Sequence, residues 1–381
     1  MSIEKAKEAI LAFKESNESV LKMNHPFSRK ERQAIHTFVE EQELFSKSRT
    51  CPGTNIRLMV IQKKPFEETL EISPDLKEFF LRYTGYSMPN TEFFDDYLKT
   101  LDLYLPASEQ WKLFIQDFKT YFKGNLSLLK QEIATVTAKV KEAFDTSLEV
   151  TEFKEKPITS KGGKLDSLYN RTRVGKFFVS VDIRQANFTI LKRETKDFLK
   201  DTTWKEFLER FTRSSFLLNS KYFREHLFGN CRITDRTVKL SYEHLQKVKE
   251  EVLDRIPYLK EATEIVYQKG DEIVYQMPDD ASEAKTYSRK IQDELEKRHP
   301  ELKVTFFQLE QIGTQDFYVK EFYYPGTGRM VGHDFKKIPN TFITQAIKHY
   351  FRIEIQNVDL QFIYQGMLAK FEKSIFEVGH S

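Results

Sequence analysis

Apolar residues recur at helical spacing through most of the N-terminal part of the chain and change to a two-residue period at a few places. The chain therefore reads as helices interrupted by short strands. Residues 3–21 mix charged and apolar groups at helical spacing. FSRKERQAIHTFVEEQEL follows, with Ser28 placed to cap a helix and Ile35, Phe38, Val39 and Leu44 along one face. NIRLMVIQKK then reads as a strand. Residues 66–148 are mostly helical, with turns near YSMPNTE and YLPAS, and the longest unbroken helical period covers 125–146.

The pattern breaks at 154–176, KEKPITSKGGKLDSLYNRTRVGK, which is basic, Gly-containing and poor in apolar residues, as a linker or mobile loop would be. A strand, KFFVSVDI, follows, then helices TTWKEFLERF and TVKLSYEHLQKVKEEVLDRI. EIVYQ next occurs twice, at 264–268 and 272–276, with Lys269-Gly270-Asp271 between the copies, and this predicts a β-hairpin. A helix, DASEAKTYSRKIQDELEKRH, comes after it, then strands LKVTFFQLEQI and DFYVKEFYY. The remainder is mixed and is expected to end in a helix near LQFIYQGMLAKFEKSIF.

Composition narrows the classes. The 381 residues carry 31% charged side chains but a net charge of only +3, so nucleic-acid binding would have to come from local patches rather than a global basic field. Thirty-three Phe and 17 Tyr supply ample core material. Two cysteines far apart argue against a disulfide scaffold or a Cys-based zinc site and fit a reducing compartment. The N-terminus lacks the apolar run of a signal peptide, and no stretch approaches the ~20 apolar residues that span a bilayer. The expectation is a soluble intracellular protein, cytoplasmic or nuclear, without membrane contact.

Elements adjacent in sequence tend to neighbour one another in a sheet, so the end of FFVSVDI and the turn of the hairpin are expected side by side, with Asp182 facing Asp271. Carboxylates that converge at strand ends suit two-metal phosphoryl chemistry, with ions roughly 3.5–4 Å apart. Mg²⁺ keeps several waters and needs only one or two protein carboxylates. Gly-Asp alone is a common turn dipeptide, so Asp182 is what turns Asp271 into a candidate metal ligand. Basic groups lie nearby in sequence: Arg171, Arg173 and Lys176 before the strand, and Lys221 and Arg224 on one helical face. Each reads either as a phosphate contact or as part of a solvated basic face. The glycines around Arg329 in GTGRMVGHDFKK resemble a phosphate loop only loosely, and a plain loop is the favoured reading.

SVDIRQANFTIL resembles motif A of right-hand polymerases in the form seen in reverse transcriptases, through Asp182, Ala186, Phe188, Thr189 and Ile190. IVYQKGDEIVY resembles the motif C hairpin, IQDELEKRHP with its following strand is similar to motif D, and FYVKEFYYPG stands where motif E does. The resemblance runs over about 172–326 in the family's order. It departs from the family in Glu272, where Asp is usual, and in the lack of a clear Gly-rich motif B, for which LFGNCRITD is a weak stand-in. The 3′–5′ polymerases that repair transfer-RNA ends and the nucleotide cyclases share the same plan. The resemblance implies Asp182 and Asp271 as ligands of Mg²⁺ or Mn²⁺ with Glu272 assisting. It also implies the backbone near Ile183, with Arg173, Lys176, Lys221 and Arg224, as holders of a nucleoside triphosphate.

In the N-terminal segment Arg32 and His36 lie four apart and share one helical face, with Lys47, Ser48 and Arg57 downstream. These groups could meet a phosphate, with His36 stacking on or hydrogen-bonding a base. Residues 16–65 resemble the R-three-H domain, a small single-stranded nucleic-acid-binding module, in the Arg-x-x-x-His helix, the LFSKS turn and the NIRLMVI strand; Ser46 stands where His is often found. The expected protein is α+β. An R-three-H-like domain (1–65) precedes a helical domain or connector (66–153). A polymerase-like palm with a ferredoxin-like antiparallel sheet and helices on one face (154–326) and a mixed C-terminal extension (327–381) follow. The expected activity is metal-dependent nucleotidyl transfer on single-stranded or primed RNA or DNA. The alternatives are a non-catalytic binding protein with a palm scaffold and a cyclase-like enzyme.

Overall fold

The computed structural model describes residues 2–23, 25, 27–50, 57–63, 72–158, 163–200, 202–251 and 264–376. The chain is α+β with antiparallel sheets and divides into two compact units, Met1–Glu71 and Ile72–Ser381. Among the described residues no helix is long and apolar enough to cross a membrane.

The first unit contains α1 (Ile3–Glu15), β1 (Val20–Met23), α2 (Arg29–Glu41), β2 (Phe45–Thr50) and β3 (Arg57–Gln62), with the strands in antiparallel order β1-β3-β2. Ser28 caps α2 as expected. Its hydroxyl accepts from the Glu31 amide at 3.3 Å, and the Glu31 carboxylate accepts from the Ser28 amide at 2.7 Å, a reciprocal capping box. Ala6, Ile10 and Phe13 of α1 and Ile35 and Val39 of α2 close over Met59 and Ile61, which alternate inward along β3. Two expectations change. The first helix stops at Glu15, because the polar run Ser16-Asn17-Glu18-Ser19 favours a cap over another turn, and the residues beyond form β1. LFSKS is strand rather than turn: Phe45–Thr50 pairs along β3.

In the second unit a helical group comes first: α3 (Pro74–Thr84), α4 (Phe94–Leu101), α5 (Ala107–Phe122), α6 (Leu126–Asp145) and α7 (Leu148–Glu155). Asn125 caps α6, so that helix fills the expected 125–146 window. Phe80, Phe94, Trp111 and Phe114 form a buried ring cluster with centroids 4.7–6.1 Å apart. After β4 (Lys164–Asp166) and β5 (Phe177–Ile183) come α8 (Ala186–Glu194), α9 (Trp204–Glu209), α10 (Ser215–Asn219), α11 (Lys221–Asn230) and α12 (Thr234–Glu251). Cys231, buried, caps the C-terminus of α11. Then follow β6 (Glu264–Lys269), β7 (Glu272–Gln276), α13 (Ala281–Arg298), β8 (Leu302–Gln311), β9 (Tyr318–Tyr323), β10 (Met330–Lys336), α14 (Ile343–Tyr350), β11 (Gln361–Tyr364) and β12 (Met367–Lys370).

Among the described residues seven of these strands form an antiparallel sheet in the order β10-β9-β8-β5-β7-β6-β4. Pleating gives β5 two faces. Val179, Val181 and Ile183 meet α8, α12 and α13 through Ile190, Leu245, Ala284, Ile291 and Leu295. Phe178 lies in a second core with Leu168, Val274, Phe307 and Tyr318.

The stretch 154–176 is only partly the loop its composition implies: β4 pairs with β6 and 171–173 form a 3₁₀ turn, while 159–162 lie outside the described residues. The helix expected near LQFIYQGMLAKF is instead the β11–β12 hairpin. Gln365 and Gly366 both take left-handed conformations at its turn, φ 50° and 79°, which closes a two-residue hairpin and breaks a helix. Nor does the sheet end at 326, since β10 extends it beyond β9. From Ile72 onward the helical segment, 154–326 and 327–381 belong to one compact unit.

Candidate functional site

β5 ends at Ile183, one residue after Asp182, which lies opposite Glu272 on β7 and Lys303 on β8. Two backbone devices shape the surroundings. Gly270, at φ 53°, lets β6 turn into β7 at Gly270-Asp271, and the Ile183 amide donates to the Asp271 carbonyl at 3.0 Å, tying turn to strand end. Beyond β5, Gln185 takes a left-handed conformation (φ 49°) and α8 starts at once, with no side chain capping it. The Phe188 and Thr189 amides donate to the Gln185 carbonyl, which leaves those of Ala186 and Asn187 at the end of the helix dipole.

These elements and α11 and α12 enclose a cavity of about 270 Å³, whose walls include Asp182, Asp271, Lys221, Arg224, Asn187 and Ser241. Burial, then the charges of Asp271 and Glu272, pushes the Asp182 carboxyl up to about 7, against the pull of Lys303 and Lys221. Burial, then the Glu272 charge, raises Asp271 as well. Two crowded carboxylates that resist ionisation, with oxygen donors only, are a donor set that fits a hard divalent cation. Burial lowers the Arg224 guanidinium, while Lys221 keeps Glu225 at 3.7 Å.

Four of the expected residues, Asp182, Asp271, Lys221 and Arg224, share this cavity. Ile183 also lines it, but its amide belongs to the bond with Asp271, so the free backbone donors are those at the start of α8. Glu272 turns aside: its carboxylate accepts from the Ser180 hydroxyl at 2.7 Å and sits 3.6 Å from the buried Lys320 ammonium, which lies over the Phe307 ring at 4.6 Å. Arg173 and Lys176 are at the wrong end of β5. Five strand steps, roughly 17 Å, separate Phe177 from Asp182. Arg173 instead forks onto Glu264 at 2.8 Å and also meets Gln276, and Lys176 pairs with Asp279 at 3.2 Å. Asn187, Ser241 and Lys303 are not among the expected residues. Lys303 stands opposite Asp182 only through the β5–β8 register, which the sequence does not display, and a serine inside a helix carries no signal.

In the first unit His36 Nδ1 is 2.6 Å from the Ser46 hydroxyl and Nε2 is 3.0 Å from that of Ser48, so both ring edges are engaged. Burial, with help from Arg32, lowers its pKa, favouring the neutral ring. Arg32 donates to the Phe27 carbonyl, tying the helix face to the chain before it. The side chains of Lys47 and Arg57 lie outside the described residues.

A second polar cluster lies where α12, the end of α13 and the start of β8 meet. His244 Nε2 and His299 Nδ1 approach Glu301 Oε1 at 3.0 and 3.2 Å, and the three ligand-type atoms lie within 4.8 Å of one another. Arg193 occupies His244 Nδ1 from the other side. Arginine only donates, so Nδ1 is the acceptor and Nε2 carries the proton given to Glu301. To share an ion with Glu301 and His299, His244 would need the reverse, a free Nε2 and an acceptor for Nδ1–H. The cluster therefore fits an internal charge network better than a metal centre. No family model matches the chain, and no curated protein matches it.

Proposed function

We propose that the chain is a metal-dependent nucleotidyltransferase acting on nucleic acid, with the second unit as a polymerase-like palm and the first as a single-strand-binding module. The observation that carries this reading is the cavity bearing Asp182 from the end of β5 and Asp271 from the adjacent β6–β7 turn, together with Lys221 and Arg224. The order β8-β5-β7-β6, with α8, α12 and α13 against one face, is the split β-α-β arrangement expected of a palm and supports the reading.

Asp182 and Asp271 would hold Mg²⁺ or Mn²⁺, which when bound supplies charge neutralisation and activation of the attacking hydroxyl. Lys221, Arg224 and the Ala186 and Asn187 amides at the start of α8 would bind phosphate oxygens. Glu272 acts from behind: fixed by Ser180 and Lys320, it adds negative charge opposite Asp182 without entering the cavity. In the first unit Arg32 supplies charge to a single strand, and His36, with both ring nitrogens held by serines, offers a base its ring face rather than its edge.

The test is nucleotide incorporation on primed templates and on free single strands with Mg²⁺ or Mn²⁺. Asp182→Asn should cut incorporation roughly 10²–10³-fold, the scale of losing one electrostatic stabiliser. At pH 8, above the value of about 7 to which Asp182 is raised, the same change removes a carboxylate that the fold disfavours, so the melting temperature should hold or rise. Incorporation by Asp182→Asn equal to wild type rejects the active-site assignment. Consumption of free triphosphate into a cyclic product without any nucleic acid favours a cyclase instead.

A further inference from the structure

Ser241 belongs to α12 and is 1% exposed, and its hydroxyl has no hydrogen-bond partner although it lines the cavity of Asp182 and Asp271. One turn earlier Thr237 solves the same problem, placing its hydroxyl 2.9 Å from the Thr234 carbonyl and 2.5 Å from Asn187 Oδ1. A buried hydroxyl left unpaired is costly, so its persistence at a cavity wall points to a partner that arrives with the ligand. Thr237 also fixes the Asn187 amide, which lines the same cavity at the start of α8 with its Nδ2 still to be paired.

We propose that Asn187 and Ser241 read the ribose hydroxyls of the incoming nucleotide, which makes the substrate a ribonucleoside triphosphate whose base is selected outside the cavity. The proposal rests on the nucleotidyltransferase reading and adds the sugar specificity of its site. The cavity's charged groups have other work: Asp182 and Asp271 suit a metal, Lys221 and Arg224 suit phosphate, and Glu225 stays beside Lys221 at 3.7 Å. Of the neutral polar residues in the lining, Gln185, Asn187 and Ser241, the last two are set by α8 and α12 and are suited to the two neighbouring hydroxyls of ribose, of which 2′-deoxyribose keeps one. Among the described residues no aromatic ring lines the cavity, so its walls offer a base no stacking platform. Its volume, about 270 Å³, falls below the roughly 300–1,000 Å³ of sites that enclose a whole drug-sized ligand, so part of the nucleotide must lie outside.

The experiment titrates the full chain, with Mg²⁺, against each of ATP, GTP, CTP and UTP and against their 2′-deoxy forms, for wild type, Ser241→Ala and Asn187→Ala. Wild type should bind the ribo forms at least about tenfold more tightly, the scale of one well-made hydrogen bond, with little dependence on the base. Either substitution should bring that ratio close to one by weakening the ribo form. Ser241→Ala should melt no lower than wild type, because it deletes an unpaired group. Equal binding of both sugars by wild type, or a ratio unchanged in both variants, overturns the sugar assignment and leaves the nucleotidyltransferase reading standing. Failure of every triphosphate to bind removes that reading itself, and this proposal with it.

Discussion

Glu272 and Glu301 are carboxylates of one sheet region to which their neighbours give different work. Glu272 is held by Ser180 and the buried Lys320, and its charge helps raise Asp182. Burial alone would raise Glu301 too, but hydrogen bonds from His244, its own backbone and His299 outweigh burial and hold it at about 2. Because this carboxyl lies lower in the fold than its ordinary value of 4.5, its contribution to stability is complete above that value and fades as pH falls towards 2. Glu301→Gln should therefore cost about 1–3 kcal/mol at pH 7, the scale of lost charge-assisted bonds. Denaturant titrations should find the gap to wild type narrowing steadily below pH 4.5; a gap independent of pH would mean that the charge contributes nothing. At this scale Asp182 and Asp271 were legible because acids at a strand end and beside a turn glycine are visible in one dimension. Asn187, Ser241 and Lys303 were not, because their place at the site comes from helix packing and strand register. Arg173 and Lys176 were misplaced for the complementary reason: closeness in sequence to a strand's start is distance from its end.

The β6–β7 hairpin carries Asp271 to the site, and Gly270 carries the hairpin. At φ 53° a side chain there is strained, and a Cβ would meet Val238 of α12 at 3.4 Å. Gly270→Val should destabilise the second unit by about 1–3 kcal/mol, the usual range for a residue forced into a disfavoured conformation. It should also weaken Mn²⁺ binding, since Asp271 is the next residue. Calorimetric titration with Mn²⁺ beside thermal melting checks both effects, and unchanged affinity with lowered stability would detach the turn from the site. Elements in which apolar period and cap agree were readable in advance: α6 begins after Asn125 and α13 after Asp280. LQFIYQGMLAKF misled because its apolar positions suit either period, and the left-handed pair Gln365-Gly366 decides between them.

Across the whole chain, the boundary read near residue 65 lies close to the observed division after Glu71, but the later boundaries do not separate compact units. Long-range bonds explain this. The Ser220 hydroxyl donates to the Tyr83 carbonyl at 2.7 Å, and Tyr97 donates to the Val358 carbonyl at 2.9 Å, so the helical and C-terminal segments belong with the sheet between them. Such long-range partners leave no mark in composition. Two units with separate cores should melt separately. Ile35→Ala, in the core of the first, and Phe306→Ala, in the core of the second, should each cost about 2–5 kcal/mol and move only one calorimetric transition. Both variants shifting a single common transition would show that the units unfold as one.

Cys231 closes α11, the helix that brings Lys221 and Arg224 to the cavity, and burial lifts its thiol to about 11. Near neutral pH it carries almost no thiolate, so alkylating reagents must wait for the helix to open. The chain thus contains a native clock for motion beside the site: the labelling rate of this one sulfur, followed by peptide mapping, times the opening of α11, and a nucleotide gripped by Lys221 and Arg224 should slow it.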